Sequence, residues 1–310
     1  MERSRAQLAK IKKMVYSYIA FGLCLKSEIV LPELMEGDGD CDVSIRFGRA
    51  DLRGEVKANG SFFKATDDEI QFTRKDTGVI TVRQGREIIV DPLPNADEAS
   101  LRFSIINAAM ASVLQHRGLL VFHASAVAID GKAVIFMGSP GSGKSTIAAA
   151  MHTWGYSLLS DEIVAVQIAV QKEGNVPVVL SGLPHIRLLP QSARYLGQDP
   201  ETMPRIRSDE DKRAYSARRG FYKKSIPLRR IYVLKKGSAN GLESIPPQAA
   251  FLEMVNNYYT VGMLKAAGGP EHLRNCARII STVPIKRLYR ADALDHMPDL
   301  IDLVKRDLEK

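Results

Sequence analysis

Between Gly138 and Ser145 the chain reads Gly-Ser-Pro-Gly-Ser-Gly-Lys-Ser, which satisfies the spacing G-x-x-x-x-G-K-[ST] at every fixed position. Each residue type has a physical reason to be there. Gly138, Gly141 and Gly143 let the backbone turn its N–H groups inward, and with a helix N-terminus behind them these form a nest for phosphate oxygens. Ser139, Pro140 and Ser142 fill the variable positions of the cradle. Lys144 is placed to reach β- and γ-phosphates as a point charge, the Ser145 hydroxyl to complete the shell of a Mg²⁺ ion, and Thr146 opens the helix. The expected ligand is therefore ATP with Mg²⁺.

A phosphate cradle does not say what receives the phosphoryl group. Asp161 and Glu162 follow seventeen and eighteen residues after Lys144, at the end of a short apolar run. Neighbours on an extended strand point to opposite faces, so the two carboxylates should do different jobs. Asp161 is assigned as the base that accepts a hydroxyl proton, and Glu162 joins Ser145 at the metal. His123, inside the apolar run Leu119 to Ile129, is either a hydrogen-bonded core residue or a group that touches and orients Asp161. A further cation is expected at the transferring phosphate, and Arg187, Lys212 and Arg213 are the candidates. The other five histidines show no metal-ligand spacing.

The elements that must position these residues can be read from pattern. Ala133 to Met137 is a short apolar strand and Ser145 to Met151 starts a helix, which gives the strand, loop, helix order that the motif requires. Asp130-Gly131 predicts a hairpin between Leu119–Ile129 and Lys132–Met137. Tyr156 to Leu159 reads as a strand, and Ile163 to Val170 with Val176 to Leu180 as another hairpin, so the core sheet is mixed. Upstream, short alternating runs from Val43 to Val90 predict a meander of small strands. A helix follows, with Asn95 as its cap and Gly118 as its stop. Pro190 to Lys224 is polar, basic and aperiodic and is expected to be a long loop that orders on substrate binding. Ile231 to Leu234 is a strand, and Gln248–Tyr258, Glu271–Ile280 and Pro298–Leu308 are helices. Residues 1–95 are expected to form a small β-rich domain and 96–310 an ATP-binding catalytic domain.

With 310 residues and 45% hydrophobic content the chain can bury a sizeable core. No apolar run approaches the roughly eighteen residues of a membrane span. Lys10, Lys12 and Lys13 precede an apolar stretch, but no small-residue cleavage site follows, and the segment is expected to be a leader running into a first strand. Three scattered cysteines, Cys24, Cys41 and Cys276, suggest neither disulfides nor zinc and fit a cytoplasmic protein. The net charge of +8 comes from one segment, since Glu201 to Lys236 holds twelve Lys or Arg against four Asp or Glu. Its spacing matches no nucleic-acid module, which leaves a phosphate- or acidic-peptide-facing surface, with a merely solvated face as the default.

His123, the loop Gly138 to Ser145 and the pair Asp161-Glu162 together resemble the catalytic domain of bacterial HPr serine kinases. The pair departs from that family's usual Asp-Asp. Phe21-Gly22-Leu23, Ser27-Glu28-Ile29 and Leu31-Pro32-Glu33-Leu34, with His123-Ala124-Ser125-Ala126, are similar to the HPr-kinase-like proteins found with lasso-peptide biosynthesis genes. The resemblance implies an α/β fold with the kinase core shared with phosphoenolpyruvate carboxykinase. It implies a serine kinase using ATP and Mg²⁺, whose substrate is the serine hydroxyl, typically the C-terminal one, of a ribosomally made precursor peptide. The alternatives are an HPr(Ser) kinase/phosphorylase acting on a carrier protein and a non-catalytic nucleotide-sensing module. A homo-oligomer is left open.

Overall fold

The computed structural model describes residues 14–50, 62–74, 76–171, 174–207, 209–259 and 269–310. The expected leader lies outside them up to residue 13. The first eight strands are β1 (Tyr16–Ala20), β2 (Leu23–Ser27), β3 (Met35–Glu36), β4 (Val43–Phe47), β5 (Phe62–Ala65), β6 (Glu69–Arg74), β7 (Gly78–Arg83) and β8 (Glu87–Pro92). They form one sheet in the order β3-β1-β2-β4-β8-β7-β6-β5. The meander expected from Val43 to Val90 is antiparallel only from β5 to β8, because β4 pairs in parallel with both β2 and β8. Ile70, Val82, Ile88 and Ile45 face one another in a row across four strands, and such cross-strand pairs fix the register.

That row is covered by a helix in three parts: α1 (Glu98–Ser104), a π-helical turn (Ile105–Ala109) and α2 (Met110–His116). The N-cap is Asp97 rather than Asn95, its carboxylate accepting from the Ser100 N–H at 2.9 Å. The cap shifts because Ala96 N–H closes a turn on the Leu93 carbonyl, which delays the helix. Ile105, Met110, Val113 and Leu114 pack with the first sheet and also with Val121, Ile163 and Ala165 of the next, so one core serves both.

The second sheet has nine strands: β9 (Leu120–Phe122), β10 (Ser125–Ile129), β11 (Lys132–Met137), β12 (Ser157–Asp161), β13 (Val164–Gln171), β14 (Gly174–Val179), β17 (Ile226–Gly237), β18 (Gly241–Ser244) and β19 (Ile285–Ala291). β15 (His185–Leu188) and β16 (Arg213–Ser216) form a separate ribbon. The sheet is mixed, as expected: β11, β17 and β19 run parallel, so their C-terminal ends share one edge, while β10 and β12 pair antiparallel. The β10–β11 turn has Asp130 at φ 50° and Gly131 at φ 72°, the left-handed pair of a two-residue hairpin. The run Leu119 to Ile129 is not one strand. It breaks at His123 and Ala124, and β9 pairs with β13 while β10 pairs with β11. Both halves are buried on both faces, so hydrophobicity carries no mark of the break.

Helices cover both faces. Val134 and Phe136 of β11 pack with α3 (Lys144–Thr153) and α7 (Met297–Leu308), and Ala133, Ile135 and Met137 pack with α5 (Pro247–Asn256) and α6 (Gly269–Thr282). The region expected to be a loop from Pro190 to Lys224 instead contains α4 (Pro190–Tyr195) and β16, with Ser192, Ala193, Arg213 and Ala217 buried. Lys212, Arg213 and Arg218 are held by contacts distant in the chain, which leave no local period. Among the described residues no helix is long and apolar enough to cross a membrane.

α7 is tied to the sheet by a buried carboxylate. Asp307 accepts from the Tyr232 hydroxyl at 2.7 Å, pairs with Lys286 and lies 3.6 Å from Arg230. Burial pushes its carboxyl up, but the bonds from Lys286 and Tyr232 and the Arg230 charge outweigh that and hold it below the ordinary 3.8. A depressed carboxyl stabilises the fold above its unfolded value and stops doing so as the pH falls through its folded one. Asp307→Ala is therefore expected to lower the unfolding free energy by about 2–3 kcal/mol at neutral pH, read from urea denaturation. The gap from the parent should close as the pH falls below 3.8. An unchanged midpoint at pH 7 would remove this anchor.

Candidate functional site

The phosphate-loop sequence folds as a strand, a tight turn and a helix because its glycines take conformations closed to other residues. Gly138, Gly141 and Gly143 have φ of 143°, 78° and 103°. A Cβ on Gly138 would lie 2.7 Å from the Leu234 carbonyl, and one on Gly143 3.0 Å from Arg290 Nε. The loop is pinned from two sides. Gly138 N–H donates to Asn257 Oδ1 at 2.8 Å, and Arg290 Nε donates to the Ser142 carbonyl at 3.2 Å. Asn257, which ends α5, also accepts the His123 N–H on its backbone carbonyl at 2.8 Å. One residue thus fixes the loop's first amide and the histidine together.

A cavity of about 400 Å³ opens beside the loop. Pro140, Gly141, Gly143, Lys144, Ser145 and Thr146 of the loop line it. His123, Glu162, Arg187 and Lys212 line it too, with Arg290, Asp292, Leu189 and Leu294. Ser139 contributes a carbonyl that accepts from Lys144 Nζ at 3.3 Å, with Gly138 accepting the same ammonium at 2.8 Å. Burial is the main reason that the Lys144 ammonium sits below its ordinary value, with Glu162 and Asp161 opposing. A larger groove of about 500 Å³ on the first sheet, lined by Lys64, Glu69, Arg83 and neighbours, lies away from this loop.

The two acids occupy opposite sides of a strand end. Asp161, the last residue of β12, is 2% exposed and absent from the cavity wall. Its Oδ1 accepts from Ser125 Oγ at 2.5 Å and Ser145 Oγ at 3.0 Å, and its Oδ2 from the Arg187 N–H at 3.0 Å. Glu162 is turned into the cavity instead. It has φ 68°, and the Ile163 N–H donates to the Asp161 carbonyl at 2.8 Å, which makes the left-handed, strained form of a γ-turn. The turn thus leaves Glu162 lining the cavity and Asp161 behind it, bonded to Ser145.

Glu162 is surrounded by two cations and a histidine. Arg187 Nη1 lies 2.8 Å from its Oε2, Lys212 Nζ 3.4 Å from Oε1 and His123 Nδ1 3.6 Å from Oε2. Burial pushes Glu162 up, but Arg187, then His123, Lys212 and Lys144, outweigh it and hold the carboxyl below its ordinary value. Asp161 moves the other way, raised first by burial and then by the Glu162 charge, so the neighbours are driven apart. His123 is lowered, chiefly by burial, and is neutral near pH 7. Its placement between β9 and β10 puts it against Glu162 rather than Asp161.

Arg187 and Lys212 reach the cavity, whereas Arg213 does not. The Arg213 guanidinium is buried and donates to the carbonyls of Pro200, at 2.9 Å, and Asp211, where it holds a turn. Three participants have no counterpart in the sequence motifs. Glu210 accepts both 2.5 and 2.6 Å contacts from Arg187 Nη2, Asn257 is 119 residues from the amide it binds, and Arg290 ends a strand unrecognised in the sequence. Recognising Ile285 to Ala291 as a strand parallel to β11 would have brought Arg290 to the right edge.

The residues present fit a nucleotide and a cation. Gly143 caps α3 with no side-chain hydrogen bond, so the helix's first amides face the cavity unclaimed by a cap. Ser145 offers a hydroxyl oxygen and Glu162 a carboxylate on the cavity lining. Among the described residues no group of three or more His, Cys, Asp or Glu could hold a metal.

No family model matches the chain, and no curated protein matches it either. Among solved structures it is similar to the HPr(Ser) kinase/phosphatase from Coxiella burnetii, with 12% identity over 60% of this chain and 88% of that one, at a TM-score of 0.32. At that level of likeness the chemistry has to stand on the residues themselves.

Proposed function

We propose that this chain is an ATP-dependent phosphotransferase that moves the γ-phosphoryl group of ATP to a hydroxyl, with the roles of the two acids exchanged relative to the sequence expectation. The observation that supports it most is the cavity itself, lined together by the phosphate loop with Lys144 and by Glu162, His123, Arg187 and Lys212. Phosphoryl transfer passes through a loose transition state with charge on the equatorial oxygens, so catalysis is mostly placement and electrostatics. Lys144 and the first amides of α3 hold the phosphates, and Arg187 and Lys212 meet the charge that develops on the moving group. Glu162 receives the hydroxyl proton, and a carboxylate held ionised suits that step because little nucleophile activation is needed. Neutral His123 packs beside it and keeps the carboxylate oriented.

When bound, Mg²⁺ would supply charge neutralisation at the phosphates. Ser145 would hold it, and Asp161 would aim the Ser145 hydroxyl while keeping its own carboxylate behind the strand end. The acceptor class comes from the sequence resemblance: the serine hydroxyl, at the C-terminus, of a ribosomally made precursor peptide.

Incubation with ATP, Mg²⁺ and such a peptide is expected to phosphorylate one serine, seen by mass spectrometry. Glu162→Gln should lower kcat by about 10²–10⁴-fold with little change in KM for ATP. Asp161→Asn should instead raise the Mg²⁺ concentration required for half-maximal rate. If Asp161→Asn lost all turnover at saturating Mg²⁺ while Glu162→Gln kept it, the exchange of roles would be wrong. Lys144→Ala is expected to cost about 10²–10³-fold in kcat. ATP binding with no acceptor-dependent turnover across peptide and carrier-protein substrates would leave a nucleotide sensor.

A further inference from the structure

Phe103 lies in α1, the helix that covers the first sheet, 84 residues before Arg187 in the chain, and nothing in the phosphate-loop chemistry calls for it. Yet the Arg187 guanidinium carbon sits 4.4 Å from the centre of its ring. The polar atoms of that guanidinium are unevenly served. Nη1 goes to Glu162 and Nη2 to Glu210, while Nε is buried with no hydrogen-bond partner. Arg187 as a whole is 6% exposed. The Arg207 guanidinium carbon also lies over the same ring, at 5.5 Å, and Arg207 pairs with Asp209, itself 3.9 Å from Arg74 on β6.

We propose that Phe103 is a positioning residue that holds the Arg187 guanidinium facing the cavity. The proposal rests on Arg187 serving the transferring phosphoryl group, as argued above, and adds the means by which it can. A cation bound only by two carboxylates is fixed by directional hydrogen bonds and must break them to serve a phosphate. The attraction of a ring face for a cation depends weakly on rotation of the guanidinium within its own plane, because it arises from the ring quadrupole. Arg187 can therefore exchange oxygen partners while the ring keeps supporting the cation. The first sheet contributes to the site through this contact, since α1 carries the ring and packs on that sheet.

Phe103→Leu keeps apolar bulk and removes the quadrupole. It is expected to lower kcat about tenfold with KM for ATP unchanged, and Phe103→Trp, with a stronger ring face, should restore most of the loss. In an Arg187→Ala background Phe103→Leu should cost nothing more, because the ring acts through that cation. An equal loss in both backgrounds, or a Trp variant no better than Leu, overturns the proposal. A second readout does not need turnover: the Arg187 Nε–H resonance of arginine-labelled protein, assigned by its loss in Arg187→Lys, should carry a ring-current shift that Phe103→Leu abolishes. A resonance unmoved by Phe103→Leu overturns the proposal. A parent protein with no turnover whose resonance does move would defeat the phosphotransferase reading and leave the ring contact standing.

Discussion

A three-residue reversal at the end of β12 is the constraint on which the site depends. Closing Asp161, Glu162 and Ile163 into a γ-turn forces Glu162 to a φ of 68°, which a side chain with a Cβ adopts at a cost of about 1–3 kcal/mol. The return is geometric. Two adjacent carboxylates, which a straight strand would merely alternate, end on either side of a wall, one behind the Ser145 hydroxyl and one in the open cavity. A strained backbone persists only when its surroundings over-determine it. Here Ser160 Oγ bonds the Ile163 carbonyl at 2.5 Å, and three donors grip Asp161 while two cations and His123 surround Glu162.

The electrostatics follow from that separation. Two bare carboxylates on consecutive buried residues would repel, and the cheap solution is to protonate one. The protein leans that way at Asp161, which burial and the Glu162 charge push up against neutral hydroxyl and amide donors, while positive charges hold Glu162 down. The cations gathered at Glu162 and Glu210 form a cluster of alternating sign, in which Arg187 is shared by two acids and a ring. Such a cluster can pass a cation from carboxylate to phosphate without leaving a buried charge alone, which is the expensive outcome for an ion pair.

Much of this was legible in the sequence because it is local. The phosphate loop, its flanking strand and helix, and the Asp-Gly hairpin are all set by residues within a few positions of one another. The opposite facing of Asp161 and Glu162 was also readable from strand alternation, but which of them faces the nucleotide depends on a turn that neither residue type advertises. What was not readable depends on long-range contacts. β19 presents Lys286, Arg287 and Arg290 among its apolar residues, so its alternation is masked by charges that pair elsewhere. Arg213 and Arg187 look alike in the sequence, and only the ribbon of β15 and β16 decides that one ties down a turn and the other lines the cavity. Phe103 and Asn257 belong to elements read from other signals, and their partners lie 84 and 119 residues away.

A crystal structure with Mg²⁺ and a non-hydrolysable ATP analogue tests the division of labour between the two acids most directly. The terminal phosphate is expected between Lys144 and Arg187, with Glu162 open to the space in line with it and Asp161 still bonded to Ser145. A nucleotide seated elsewhere, or a terminal phosphate that faces Asp161 while Glu162 is turned away, would contradict the account.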